Sequence, residues 1–113
     1  MRNVLSAKIH KATVTSADVA YIGSITIDAD LCDMVDLWEG EKVLVVSNTS
    51  GARLETYVIL GERGSGTIQM NGAAAHLISP GDEIIVIAFQ ISDKPLEPKQ
   101  ILVDKNNSFV QYL

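Results

Sequence analysis

The sequence predicts a small, mainly β barrel that carries two short helices. Three observations lead there. Its 113 residues leave room for one hydrophobic core and no second one. Short stretches of alternating or branched apolar residues recur along the chain, punctuated by Gly, Pro, Asn, Asp and Ser clusters. Only two stretches carry helical signals.

The elements follow in order. From Ala7 to Thr15, Ile9, Ala12 and Val14 mix with Lys8, His10 and Lys11 as an extended strand with one polar face. Ser16-Ala17-Asp18 is turn chemistry. After Tyr21, Ile22 and Gly23, the run Ser24 to Asp28 alternates at period 2. Asp30 reads as a helix N-cap with Asp33 at N3. Leu31, Met34, Val35 and Trp38 then form an apolar stripe, and Gly40 is the stop signal. The acids Asp28, Asp30, Asp33, Asp36, Glu39 and Glu41 read as a solvated face, favourably placed at the start of that helix. Lys42 to Ser47 is a Val-rich strand, Asn48 to Gly51 a hairpin turn, and Arg53 to Gly61 a second alternating strand. Gly61 to Gly66 reads as a hairpin loop before a short strand, Thr67 to Met70. Asn71-Gly72-Ala73-Ala74-Ala75-His76 is a tight turn opening a short helix. Pro80-Gly81 turns the chain into Glu83 to Gln90, whose apolar run suggests a strand buried on both faces. Pro95 and Pro98 bracket a linker, and the tail supplies one or two edge strands.

Composition bounds the function. At 47% hydrophobic and 20% charged the chain is not of the disordered class. Nine basic residues against fourteen acidic ones give a net charge of −5, which argues against a nucleic-acid partner. The charge is unevenly divided: residues 1–23 sum to +2 and residues 24–113 to −7. A single cysteine, Cys32, excludes an internal disulfide, and one Cys with two His offers no metal-ligand cluster. No signal peptide is readable, and the longest apolar run, Ile84 to Phe89, is far short of the ~20 residues that span a bilayer. A cytoplasmic, membrane-free protein without a metal is the expectation.

No single motif declares a chemistry. Gly61-Glu62-Arg63-Gly64-Ser65-Gly66 lacks the order of a phosphate loop. Ser24 is not in a hydrolase elbow, because Thr26 stands where that motif needs Gly. Lys8 and His10 share one strand face, as do Arg53, Glu55 and Tyr57, with Thr56 opposite. An arginine and a tyrosine so spaced could cradle a carboxylate beside a proton donor, and cross-strand pairing explains them equally well.

The combination is more specific. Lys8-x-His10, Val14-Thr15, Ala17-Asp18, Tyr21-x-Gly23-Ser24 and Ile27-Asp28 resemble the N-terminal half of the aspartate 1-decarboxylase family, small bacterial pyruvoyl enzymes. The likeness continues through Asn48, Gly51, Arg53, Thr56-Tyr57, Glu62 to Ser65, Asn71 to His76 and Gly81-Asp82, covering about residues 1–90. Ile22 stands where the family usually has Glu, Val46 where some members have Trp, and the tail after about residue 91 matches no family pattern.

The resemblance implies a double-psi β-barrel with two or three short helices, assembled as a homotetramer with sites between subunits. It implies scission at Gly23–Ser24 into chains 1–23 and 24–113, spontaneous or aided by a helper protein, leaving a pyruvoyl cofactor derived from Ser24. The implied reaction converts L-aspartate to β-alanine and CO2 for pantothenate biosynthesis. Residue by residue, Thr56 matches the group that holds the Gly23 carbonyl during scission. Tyr57 matches the proton donor and Arg53 the ligand of the substrate carboxylate, helped by Lys8. Asn71, Gly72, Ala73, Ala74 and Ala75 line the substrate, with His10 and Tyr21 in support. Two other readings stand beside it: a barrel that lost maturation and only binds, and a pyruvoyl decarboxylase for another small amino acid.

Overall fold

A computed structural model describes all of residues 1–113. It contains nine strands, β1 (Arg2–Thr13), β2 (Ser16–Asp18), β3 (Ser24–Asp28), β4 (Lys42–Ser47), β5 (Arg53–Gly61), β6 (Ile68–Asn71), β7 (Glu83–Ser92), β8 (Lys99–Val103) and β9 (Phe109–Tyr112). One α-helix, α1 (Ala29–Val35), and one 3₁₀ turn, Gly72–His76, complete it. The class is the mainly β one expected.

The strands lie side by side in the order β2-β6-β3-β5-β4-β7-β1-β8-β9. β1 and β2 are one run of chain broken only at Val14 and Thr15, yet β1 pairs with β7 and β2 pairs with β6. That single run therefore links β6 back to β7 and closes a six-stave barrel of β1/β2, β6, β3, β5, β4 and β7, with β8 and β9 continuing outside it from β1. Closure demands a bent stave. β1 supplies it through two register breaks against β7, one of them beside Lys11 at φ 62°. The core inside is largely aliphatic, with Ile9, Ile25, Ile27, Val45, Ile68, Met70, Ile84 and Val86 all buried.

Several local expectations are corrected. The first strand begins at Arg2, and residues 16–18 are a strand because β6 offers them parallel partners 53 residues away. Asp28, not Asp30, caps α1: its side chain accepts the Asp30 N–H, and Asp36 in the left-handed region ends the helix. Trp38 therefore lies beyond the helix and is 72% exposed. The Gly61–Gly66 segment is no hairpin loop, since β3 runs between β5 and β6. β7 alternates rather than being buried on both faces: Ile84, Val86 and Ala88 point into the core, while Phe89 lies exposed. The tail gives two strands, of which β8 is more than an edge, for Ile101 and Val103 join the core.

Candidate active site

β3 and β6 run antiparallel with Ser24 opposite Asn71 and Thr26 opposite Gln69. Alternation sends Ile25, Ile27, Ile68 and Met70 inward and leaves Ser24, Thr26, Gln69 and Asn71 as a polar row on the outer face. Ser24 and Asn71 are nonetheless fully buried. The Asn71 Nδ2 donates to Ser24 Oγ at 2.8 Å and to Thr26 Oγ1 at 3.0 Å, while Asn71 Oδ1 accepts from Gln69 Nε2 at 2.7 Å. Gln69 Oε1 accepts from Ser16 Oγ at 2.9 Å, on β2.

Immediately before Ser24 the chain changes character. Tyr21, Ile22 and Gly23 are exposed, Ile22 at 79%. Gly72, at φ 70°, packs under this segment: a Cβ there would stand 2.7 Å from the Gly23 Cα and 3.0 Å from the Tyr21 carbonyl oxygen. Only glycine permits that approach. The Gly23–Ser24 peptide thus sits between an accessible loop and a buried strand, clamped by the Asn71-Gly72 turn.

β5 flanks β3 in parallel, Ile25 level with Val58. Carried back along both strands, that register sets Ser24 level with Tyr57 and Gly23 level with Thr56. Tyr57 shares the outer face with Ser24 and is 39% exposed. Arg53 lies on the same face four residues earlier, about 13 Å away along the strand. It is exposed and has no carboxylate partner within the chain. Lys8 pairs with Ile87, which pairs with Leu44, which pairs with Glu55. Three strand steps separate Lys8 from β5, roughly 14 Å. One chain therefore brings Ser24, Tyr57, Asn71 and Gly72 to one side of the sheet, with Ala73, Ala74 and Ala75 in the adjoining turn and Thr56 beside Tyr57 but on the opposite face, and leaves Arg53 and Lys8 apart from them.

His10 is half-buried, and its Nδ1 is enclosed without a hydrogen-bond partner. Desolvation, then the charges of Lys8 and Lys11, hold its pKa below the usual value, against a smaller opposite pull from Glu83. Tyr21 is exposed on the loop above Gly72. Arg63, in the Gly61–Gly66 segment, ion-pairs with Asp30 at 2.9 Å and Asp33 at 2.6 Å, a structural tie to α1. No group of three or more His, Cys, Asp or Glu side chains is placed to hold a metal ion, and no helix is long and apolar enough to cross a membrane.

Ser16, Thr26 and Gln69 were not singled out by sequence reasoning. The signal was present as polar residues at period 2, opposite Ile25, Ile27, Ile68 and Met70. The partners, however, come from three segments that only the folded sheet unites.

A small barrel thus holds a buried serine hydroxyl at a loop-to-strand junction, braced by an asparagine amide and a glycine turn, and the proteins it resembles are decarboxylases. The chain matches the family model described as aspartate decarboxylase over residues 1–110. The aspartate 1-decarboxylases of Bacillus cereus strains B4264, G9842 and ATCC 10987 are each 51% identical to it over 116 residues, spanning 99% of this chain and 91% of theirs. The chain belongs to the aspartate decarboxylase family, and the likeness runs on through the tail that matched no pattern after residue 91.

Proposed function

We propose that the protein is a self-processing, pyruvoyl-dependent decarboxylase that converts L-aspartate to β-alanine and CO2, feeding pantothenate biosynthesis. The observation that carries the proposal is the buried Ser24 hydroxyl, braced by Asn71 directly after the exposed Gly23, against which Gly72 packs.

In processing, Ser24 Oγ attacks the Gly23 carbonyl carbon. The C–O bond forms, the C–N bond breaks, and the hydroxyl proton ends on the Ser24 nitrogen. Loss of the residue-24 α-proton then expels the Gly23 carboxylate, and water converts the remaining dehydroalanine to a ketone with release of ammonia. Thr56, level with Gly23, is assigned to hold the carbonyl oxygen as it becomes negative. Gly23 contributes a backbone free to pass through strained dihedral angles during the attack. The residues around position 24 suit a pyruvoyl group: the Asn71 amide donates to Ser24 Oγ, the oxygen that would leave with the Gly23 carboxylate, and so would be left free to face the new ketone, while Gly72 to Ala75 carry only small side chains.

Once formed, such a ketone supplies an acceptor for the electron pair left by a departing carboxylate. The chain's own side chains do the rest. Tyr57 delivers a proton to the α-carbon from the strand beside residue 24. Arg53, without an internal partner, takes a substrate carboxylate, preferably in bidentate fashion, and Lys8 adds positive charge. Backbone separations of ~13 Å from Arg53 to Tyr57 and ~14 Å from Lys8 to β5 hold both cations away from Ser24 within one chain. A second copy of the chain, in a tetramer, is therefore assigned the task of bringing its Arg53 and Lys8 to the first copy's Ser24. His10 and Tyr21 line the approach.

The test is denaturing mass spectrometry of the purified protein followed by CO2 release from aspartate. Two fragments, ending at Gly23 and beginning at a modified residue 24, with turnover of aspartate, are expected. An intact chain that stays intact on warming would overturn the proposal. Scission with no turnover of aspartate but turnover of glutamate would replace the substrate.

A further inference from the structure

We propose that Gln69 is a positioning residue that, anchored on Ser16, couples its own amide orientation to which end of the Asn71 amide meets Ser24. The inference rests on the reading that Ser24 is the residue processed. The connected groups are Ser16 Oγ, Gln69, Asn71, and the paired hydroxyls of Ser24 and Thr26, linked at 2.9, 2.7, 2.8 and 3.0 Å. They cross three strands, β2, β6 and β3, and the first belongs to the segment that scission would detach.

The direction of this chain matters chemically. With Nδ2 facing Ser24, the amide N–H stabilises the negative charge that grows on Oγ as its proton leaves and the bond to the Gly23 carbonyl carbon forms. Turned over, Asn71 would present Oδ1, which accepts the Ser24 O–H and holds the proton on the attacking oxygen. Ser24, Thr26 and Ser16 are hydroxyls, able to donate or accept, so the termini alone choose neither direction. Gln69 makes the choice collective. Its Nε2 gives a hydrogen to Asn71 Oδ1 while its Oε1 takes one from Ser16, and a turn of one amide obliges the other to turn.

The discriminating substitution is Gln69→Glu, nearly the same in shape. An ionised carboxylate at position 69 accepts only, so Asn71 must offer it Nδ2 and turn Oδ1 to Ser24. The protonated acid at that position can again donate to Asn71 Oδ1. Scission of freshly produced protein, followed by denaturing mass spectrometry, is expected to slow about tenfold or more in Gln69→Glu at pH 8, the factor that one lost transition-state hydrogen bond typically sets. It should recover to within about threefold of the unsubstituted protein by pH 5, since one hydrogen bond then separates the two little. The unsubstituted chain should show no such recovery. Ser16→Ala, which frees Gln69 to turn, should slow scission about threefold with an unchanged melting temperature. Scission of Gln69→Glu at the unsubstituted rate at pH 8, or a slowing that persists unchanged at pH 5, would overturn the proposal.

A second measurement is independent of scission. In the uncleavable Ser24→Ala background, nuclear Overhauser contacts should join the Asn71 side-chain amide protons to the Thr26 methyl. They should shift to the residue-69 side chain when Gln69→Glu is added at pH 8, and an unmoved pattern refutes the relay. If the unsubstituted protein never splits at Gly23, the processing proposal falls, and this measurement still decides the orientation of Asn71.

Discussion

Asp28 is the residue whose loss should be felt most widely for the smallest change in shape. Its carboxylate is buried at the end of β3 and accepts three backbone N–H groups. Oδ1 takes those of Asp30 at 2.9 Å and Gly64 at 3.1 Å, and Oδ2 takes that of Gly66 at 2.9 Å. One side chain thus caps α1 and ties down the segment leading into β6. In Asp28→Asn the amide oxygen can keep the first two bonds, but its NH2 then faces the buried Gly66 N–H. Losing that charge-assisted bond and leaving a buried donor unmatched costs about 2–3 kcal/mol, and weakening of the other two adds about 1 kcal/mol. At about 4 °C per kcal/mol for a domain of this size, the melting temperature should fall by roughly 12–16 °C. Thermal and urea unfolding by circular dichroism, at one protein concentration, measures it. The exposed neighbour Asp30 provides the contrast: Asp30→Asn loses only a surface ion pair with Arg63, worth under about 1 kcal/mol. A fall of less than about 4 °C for Asp28→Asn, or equal effects at the two positions, would refute the reasoning.

Asn107, buried at φ 60°, accepts the Thr13 N–H and donates to the carbonyls of Thr13 and Gly66. Asn107→Asp turns both donor contacts into oxygen facing oxygen and should cost about 3–5 kcal/mol in urea titrations, more than Asn107→Ala. Gly72→Ala should lower stability by at least about 2 kcal/mol through its positive φ and the Gly23 clash, and should slow scission at Gly23–Ser24 on denaturing gels. Burial first, then Asp33, Asp28 and Glu41, pushes the Cys32 thiol up to about 12, with Arg63 opposing. The folded chain keeps its proton where the unfolded chain releases it. The stability this represents is complete below pH 9 and lost as pH rises from about 9 towards 12. Cys32→Ala should flatten that decline, and a thiol reagent at pH 8 should label the protein only after unfolding.

Alternation made the barrel staves readable. Lys42–Ser47, marked by its valines, and Arg53–Gly61, marked by its alternation, match their final bounds, because one face of each meets the core and the other does not. The start of α1 was harder to read, since Asp28 and Asp30 are equally good caps in isolation. Only the loop donors Gly64 and Gly66, folded back from more than thirty residues away, single out Asp28. Trp38 deceived for a related reason: it continues the apolar stripe, but Asp36 takes the left-handed conformation just before it. β2 carries three residues with no apolar alternation, and its strand character comes wholly from β6. At the site, Ser24, Thr56, Tyr57 and Asn71 were marked by family resemblance; the sheet pairs Asn71 with Ser24 and runs the strand of Thr56 and Tyr57 beside them. Arg53 and Lys8 were marked equally well, yet no reading of one chain's sequence could show that they lie far from Ser24.

The run that closes the barrel, Arg2 to Asp18, lies entirely on the N-terminal side of Gly23. Breaking the bond after Gly23 would turn an intramolecular fold into a complex of a short and a long peptide, held without a covalent tether. Unfolding would then be a dissociation, and recovery a second-order search that dilution slows. The uncut chain has no such handicap, because its short arm is always at hand to slot between β7 and β6. Folding would therefore have to precede scission, and a cut molecule would depend on never letting go: its persistence would be set by the rate at which β1 escapes from β7 and β8 rather than by an equilibrium it could revisit.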